Sequence, residues 1–532
     1  MYIINMKKPY LLALVLLIFL NGYGQQNSHG KISDLSEKND NYRPNFHFTP
    51  KKNWMNDPNG MFYLNGTYHL FFQHYPEEPK WGPMHWGHAT SKDLIRWEEK
   101  SIALYPDEKG YIFSGSAVVD KNNTSGLGKN GIIPIIAMFT YHDIVGERNG
   151  EEEYQSQAIA FSLDEGMTWT KYSRNPVISN PGIRDFRDPK IQWDGENQQW
   201  LMVLSANDKT LIYTSGNLLD WELASEFGKG VGGHGGVWEC PDFFPIKVSN
   251  TNETKWVLIQ SLNPGAYNGG SGTQYFIGDF DGKNFIPENY LKDLPAEHDY
   301  WLDFGKDNYA GVTWSNAPHD IDERVFIGWM SNWQYAQEVP TYTWRSAMTI
   351  PRVLEVKKKN DNTYRIFSKP VKQLDSLSQL KYSNDMENTE GEFLLADKSR
   401  VNMDKLRIKL QIPEIENREY RFELKNSTGD QLVFGYNDNS GNFFIDRRNS
   451  GNTGFSENFA NRISTAPRTS DKNILPIEIF IDKTSVEIFY DSGETVMTEI
   501  FFPHAPMEKL SLQSQENDFS IKKLKVYELQ LN

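Results

Sequence analysis

The sequence predicts an all-β protein: an N-terminal five-bladed β-propeller followed by a C-terminal β-sandwich. Three observations carry the prediction. Aromatic residues make up 14% of the 532-residue chain against an apolar total of only 38%, a mix that suits strands and wet, aromatic-lined clefts better than a helical bundle. All fifteen tryptophans lie at or before Trp344, and of eleven histidines only His504 follows that point, so the chain changes character there. Finally, "SKDLIRWEE", "SLDEGMTWTK" and "SGNLLDWEL" repeat one pattern: Ser, then Asp or Asn two residues on, then Trp four or five residues later. The tryptophans, at 97, 169 and 221, are 72 and 52 residues apart. A four-stranded blade with its loops needs about that length, which sets the count at about five.

Taken in order, the chain opens with Lys7 and Lys8, an apolar run from Tyr10 to Leu20, and then Gly22 and Gly24. That order reads as a secretory signal peptide over residues 1–24. The run is too short to span a bilayer, so no integral membrane segment is expected after cleavage, and the protein is expected to be exported (periplasmic, cell-surface or secreted). The single cysteine, Cys240, allows no internal disulfide, so the core must hold the fold together. The formal net charge of −15 argues against a nucleic-acid partner, because phosphate binding needs a basic surface.

Residues 40–355 are assigned to the propeller. Within them "GMFYLNGTYHLFFQHY", "KIQWDGENQQWLMVLSA" and "QYFIGDFDGKNF" each place two apolar runs around an Asn-Gly or Asp-Gly, a strong hairpin signal. Residues 356–378 rise in charge and polarity and read as a linker. Residues 379–532 contain short alternating runs, among them "KLRIKLQIP", "YRFELKNS", "IEIFID" and "SVEIFYDSGETVMTEIFF", which fit two sheets with one polar face each.

Three carboxyl groups stand out for chemistry. In "WMNDPNG" Pro58 fixes its own φ and holds Asp57 extended, so the carboxylate is presented at a strand end or turn. In "RDFRDPKIQW" Arg187 is expected to keep Asp188 ionised, and Pro189 shapes the local turn. In "GGHGGVWECPDFFP" the apolar setting of Glu239 is expected to favour its protonated form, as a general acid requires. Each alone has an ordinary structural reading. Together they match the requirement of glycoside hydrolysis for an ionised carboxylate and a protonated carboxyl flanking one bond. Trp54, Trp81, Trp86, Phe113, Trp314 and Trp333 are candidates for stacking on sugars, and Asn56, Gln73, Ser114 and Arg187 for binding hydroxyls. "HWGH" lacks the form and third ligand of a metal site. No G-x-S-x-G elbow or phosphate loop is present.

The motifs "WMNDPNG", "FFQHYP", "WGPMHWGHATSKDLIRW", "IFSGSAV", "FRDPK" and "WECPDFF" resemble, in order and spacing, those of glycoside hydrolase family 32, the invertases, inulinases and levanases. The resemblance covers nearly everything from about residue 43 onward. It implies a five-bladed propeller with its site in the central funnel and an accessory sandwich. It also implies Asp57 as nucleophile, Glu239 as general acid/base and Asp188 as transition-state stabiliser. Asn56, Gln73, Trp81, Ser114, Arg187 and Asp303 match substrate-contacting positions, with Trp54, Phe113 and Trp314 as further candidates. The implied substrate is a fructan or fructo-oligosaccharide, with no metal or organic cofactor. A fructosyltransferase using the same carboxylates and a non-catalytic fructan-binding protein are the alternatives.

Overall fold

Alternation of apolar residues around turn-forming pairs becomes hairpins throughout the computed structural model, which describes residues 41–389, 391–416, 418–514 and 519–531. The signal-peptide assignment, 1–24, lies outside the described residues. Asn65 and Gly66, both at positive φ (48° and 78°), turn strand Asn53–Leu64 into Thr67–Tyr75, as a two-residue hairpin requires.

Five antiparallel sheets form the propeller. Their first strands are Asn53–Leu64, Tyr111–Val119, Phe186–Asp194, Val237–Lys247 and Tyr309–Thr313. Each touches the next, and the fifth touches the first, so they make a closed ring around the axis. Trp344–Arg345 closes the circle by pairing in parallel with Asn53 and Trp54, and a parallel bridge joins Phe62 to Ser315.

The Ser–Asp–Trp repeat has a structural cause. In blades one to three it forms the turn from the third strand into the fourth. The indole N–H groups of Trp97, Trp169 and Trp221 each donate to the carbonyl three residues back, at 2.8, 3.0 and 3.0 Å. The serine side chains of Ser91, Ser162 and Ser215 meet Asp93, Asp164 and Asn217 at 3.1, 2.7 and 3.3 Å. The motif therefore marks one blade per occurrence.

The stretch read as a linker, 356–378, is instead structured. It contains the end of Arg352–Lys358, all of Tyr364–Pro370, and the short helix Gln373–Leu377. The two strands are the outermost of the fifth blade. Their polarity reflects one solvated sheet face, not a free connection. The sandwich follows as two six-stranded sheets, opening with Ser378–Thr389. Leu406, Ile408 and Ile479 of one sheet and Phe422, Phe434 and Ile445 of the other share one buried core.

The two parts are joined by a buried polar network set beside apolar packing. Phe480, Phe489 and Val496 of the sandwich pack in one cluster with Ile350, Val353 and Leu374. His47, at the entry to the first blade, is held between Asp482 and Glu487 of the sandwich at 2.8 Å on each ring nitrogen. Burial opposes charge on His47, but the hydrogen bonds and charges of the two carboxylates outweigh it and raise its pKa to about 9. Because the folded value exceeds the unfolded one, this stabilisation is complete below about pH 6.5 and is lost as the pH rises through about 9. Thermal unfolding followed from pH 7 to 10 should show a falling midpoint that is flatter in His47→Gln. Equal slopes in the two proteins would refute the assignment.

Candidate active site

A proline cannot donate to a strand ladder, and proline follows Asp57, Asp188 and Cys240 in the first strands of blades one, three and four. There the register slips. It slips between Met55 and Pro58, between Arg187 and Lys190, and between Glu239 and Asp242. The two remaining first strands slip at Ile112–Gly115 and Tyr309–Val312. A ring of five β-bulges thus lifts residues off the ladder, which is how bulges re-aim side chains. Asp188, Cys240 and Ala310 take positive φ of 67°, 47° and 53°, a conformation costing on the order of 1–3 kcal/mol for a residue with a Cβ. Gly115 permits its own bulge, since a Cβ there would lie 2.0 Å from the Met138 carbonyl oxygen.

Nine of the twelve sequence candidates line one hollow of about 210 Å³: Asn56, Asp57, Phe113, Ser114, Arg187, Asp188 and Glu239 from the bulges, with Gln73 from the second strand of blade one and Trp81 from the loop after it. Ser114 donates to Asp57 Oδ2 at 2.7 Å. Asp57 Oδ1 is buried with no hydrogen-bond partner among the described residues. The Cys240 sulfur lies 3.5 Å from Asp57 Oδ2 and 3.6 Å from Asp188 Oδ2, so both carboxyls rest on one side chain. The Cys240 backbone N–H donates to Asp188 Oδ2 at 3.0 Å. Glu239 accepts from Arg187 Nη2 at 3.0 Å on Oε1 and from the Tyr309 hydroxyl on Oε2. Its surroundings are therefore polar, unlike the apolar setting expected. Its neighbour Trp238 is fully buried and stacks on His234.

The electrostatics follow from three carboxyls crowded together beside one guanidinium, whose Nη1 is also taken by Asp185 Oδ1 at 2.6 Å. Burial first, and then the Glu239 charge, push Asp57 above the usual carboxylate range. Asp188 is not held ionised by Arg187 as expected. Burial outweighs the guanidinium, Glu239 and Asp57 add to it, and its pKa is pushed up to about 7. Near neutral pH the pair of Asp57 and Asp188 is therefore harder to ionise than separate carboxyls would be, a property of the group more than of either member.

Three candidates lie elsewhere. Trp54 is fully buried behind the wall, where its indole donates to Asn56 Oδ1 at 2.7 Å and stacks near Trp333. It orients Asn56 and lines no part of the hollow. Trp314 is also fully buried; it donates to the His69 carbonyl and stacks on Trp97. Asp303 is at the seam with the sandwich, bound to Arg352 and Thr498. Of the remaining aromatics, Trp333 lines the hollow and Trp86 is core. Sequence reasoning passed over Tyr309, which grips Glu239, and His142, Glu147 and Gln155, which line the hollow. Three sit on ordinary strands and Glu147 on the short helix Ile144–Arg148, in sequence that carries no signal of its own. His85 and His88 are three apart on one strand and so face opposite sides; among the described residues no cluster of three His, Cys, Asp or Glu could hold a metal.

Comparison with known proteins adds the family. Residues 47–370 match the glycosyl hydrolases family 32 N-terminal domain and residues 372–528 the family 32 C-terminal domain. The levanase of Bacillus subtilis (strain 168) is 45% identical over 500 residues, covering 93% of this chain and 72% of that protein. The extracellular exo-inulinase inuE of Aspergillus niger is 42% identical, covering 87% of this chain and 90% of that protein. The crystal structure of exo-inulinase from Aspergillus awamori superposes with a TM-score of 0.83 at 38% identity, over 92% of this chain and 98% of that one.

Proposed function

Because the chain belongs to glycosyl hydrolase family 32, we propose that it is a retaining hydrolase that releases terminal fructose from β-fructans of the levan and inulin type. The observation that carries this reading is the convergence of Asp57, Asp188 and Glu239, from three different blades, on one small hollow. Asp57, which lines the hollow, attacks the anomeric carbon of the fructosyl unit. A proton from the buried carboxyl cluster passes to Glu239, which gives it to the departing oxygen; the C–O bond to the leaving sugar breaks, and an ester forms on Asp57. Water then enters, Glu239 takes its proton, and the hydroxyl attacks the same carbon to free fructose with retained configuration. Asp188, fixed by the Cys240 N–H, accepts from fructosyl hydroxyls. Tyr309 and Arg187 hold Glu239 by both oxygens, so its direction is set before substrate arrives.

The hollow is small, about 210 Å³, which supports attack at a chain end. The names of the levanase and exo-inulinase relatives support the substrate class. The extracellular relatives support export. A time course on levan and inulin, with products separated by size, should show fructose alone from the first point. A ladder of intermediate oligosaccharides would overturn terminal attack. Longer oligosaccharides as the main products from sucrose would replace hydrolysis by transfer.

A further inference from the structure

We propose that the far end of the propeller axis holds a second saccharide-binding pocket, separate from the place of cleavage, that takes fructosyl units of the polymer on Trp193, Arg324 and Asp320. The choice of sugar rests on the reading of the protein as a fructan hydrolase.

A cavity of about 360 Å³ lies at that end. It is larger than the hollow of the three carboxyls and shares no lining residue with it. Val119, Trp193 and Thr313, which line it, stand at or next to the ends of the first strands of blades two, three and five. On the strand Phe186–Asp194, Asp188 lines the hollow and Gln192 the pocket, four residues on, or about 13 Å of strand. A buried ion pair stands between the two. Lys190 Nζ is 3.3 Å from Asp242 Oδ2, which also accepts from the N–H and the hydroxyl of Thr313 at 2.7 Å each. The pocket reaches the surface at Lys121 and Asn122, both exposed.

The lining suits a ring that carries hydroxyls. Trp193 is partly exposed and braced edge-on by Trp200, 5.0 Å between centroids. Val118, Ile191 and Ile321 add apolar wall. The polar groups come from the fifth blade. Arg324 spends Nη2 on the Pro245 carbonyl at 3.0 Å, and its guanidinium lies over the Phe244 ring at 4.8 Å. Its Nε is sealed inside the protein with no partner among the described residues, so Nη1 is the donor left to the cavity. Nη1 meets only Asp320 Oδ2, at 3.8 Å, beyond hydrogen-bond reach. Asp320 is partly exposed and accepts no hydrogen bond among the described residues.

A donor and an acceptor therefore stand side by side at an aromatic wall, the mixture that fixes a polar ring in a pocket. Two adjacent hydroxyls of one sugar, approaching from the cavity, meet both: one accepts from Nη1 and the next donates to Asp320. A small anion fits less well, because Asp320 repels it and the Lys190 charge is already answered by Asp242. A chain held here gives the enzyme a second grip on its polymer, and two linked contacts bind more tightly than either alone.

The test titrates inulotriose calorimetrically into Asp57→Asn, which should bind the sugar without turning it over. Two sites are expected, the hollow and the pocket. Adding Trp193→Ala, or Asp320→Ala on a partly exposed side chain, should weaken one of them at least about tenfold and leave the other within about twofold. With Asp57 intact, both pocket variants should keep kcat and KM for inulotriose within about twofold and raise KM for long-chain levan by about fivefold or more. A single site, or two sites that neither variant changes, would overturn the proposal. So would loss of the second site to sodium acetate at constant ionic strength, which would make the pocket an anion site. A wild-type protein that cleaves neither inulotriose nor levan would instead remove the hydrolase reading from which the choice of sugar comes.

Discussion

Asp57→Asn should lower turnover of levan or inulin by at least about a thousandfold, because an amide cannot form the ester on which the two-step reaction depends. The same variant should unfold no more easily than the wild type at neutral pH. Burial and Glu239 raise the Asp57 carboxyl above its ordinary range in the folded protein. A carboxyl with a raised folded value opposes folding once the pH exceeds its unfolded value. Replacing it by a neutral isostere relieves that opposition above the ordinary carboxylate range, and the difference disappears in acid below it. Ser114 still has an acceptor in the amide oxygen. Activity lost with stability kept or gained is what a strained catalytic group produces. Turnover within tenfold of wild type would remove Asp57 as nucleophile. Lost activity together with a large fall in unfolding midpoint at pH 7 would make its role structural.

The sequence revealed the groups that had a local mark and hid those that did not. Asp57 and Asp188 each precede a proline, and the proline that makes them conspicuous in the sequence also breaks the ladder and lifts them into the hollow. Cause and signal are the same residue there. The blade repeat was legible for a similar reason: one turn chemistry, Ser with Asp or Asn and an indole closing on the carbonyl three back, recurs at each site. Trp54 and Trp314 could not be told from platform aromatics by type, because burial is decided by packing across the ring of blades. Tyr309 lies 70 residues from the Glu239 it grips, and nothing in "NYAGVT" distinguishes it from a core tyrosine. The linker assignment failed because an outer strand and a solvated connection have similar composition.

Arg352→Ala should destabilise the protein by about 3–5 kcal/mol, the range for removing one partner from a buried charge network. Arg352 is fully buried on the fifth blade and donates to Asp303 Oδ2 at 2.9 Å, Glu487 Oε2 at 2.5 Å and Thr498 Oγ1 at 2.7 Å. Glu487 and Thr498 belong to the sandwich, so the guanidinium joins the two parts. Asp303 accepts from Gly305, Asn308, Arg352 and both the N–H and hydroxyl of Thr498. All its capacity is used inside the protein, and none is left for a sugar. Without Arg352, Asp303 and Glu487 face each other's charge in a dry seam. Adding Asp303→Asn to Arg352→Ala should therefore recover part of the loss, a coupling of about 1 kcal/mol or more in a double-mutant cycle. Asp303→Asn alone should lower the unfolding midpoint while leaving KM for inulotriose within about twofold of wild type. A rise in KM of tenfold or more at full stability would return Asp303 to the binding site. Strictly additive stability effects would mean that Arg352 does not answer the Asp303 charge. The sandwich then stands as a brace: its strands supply the carboxylates and the threonine that hold the first and fifth blades, at His47 and Arg352, where the ring must close.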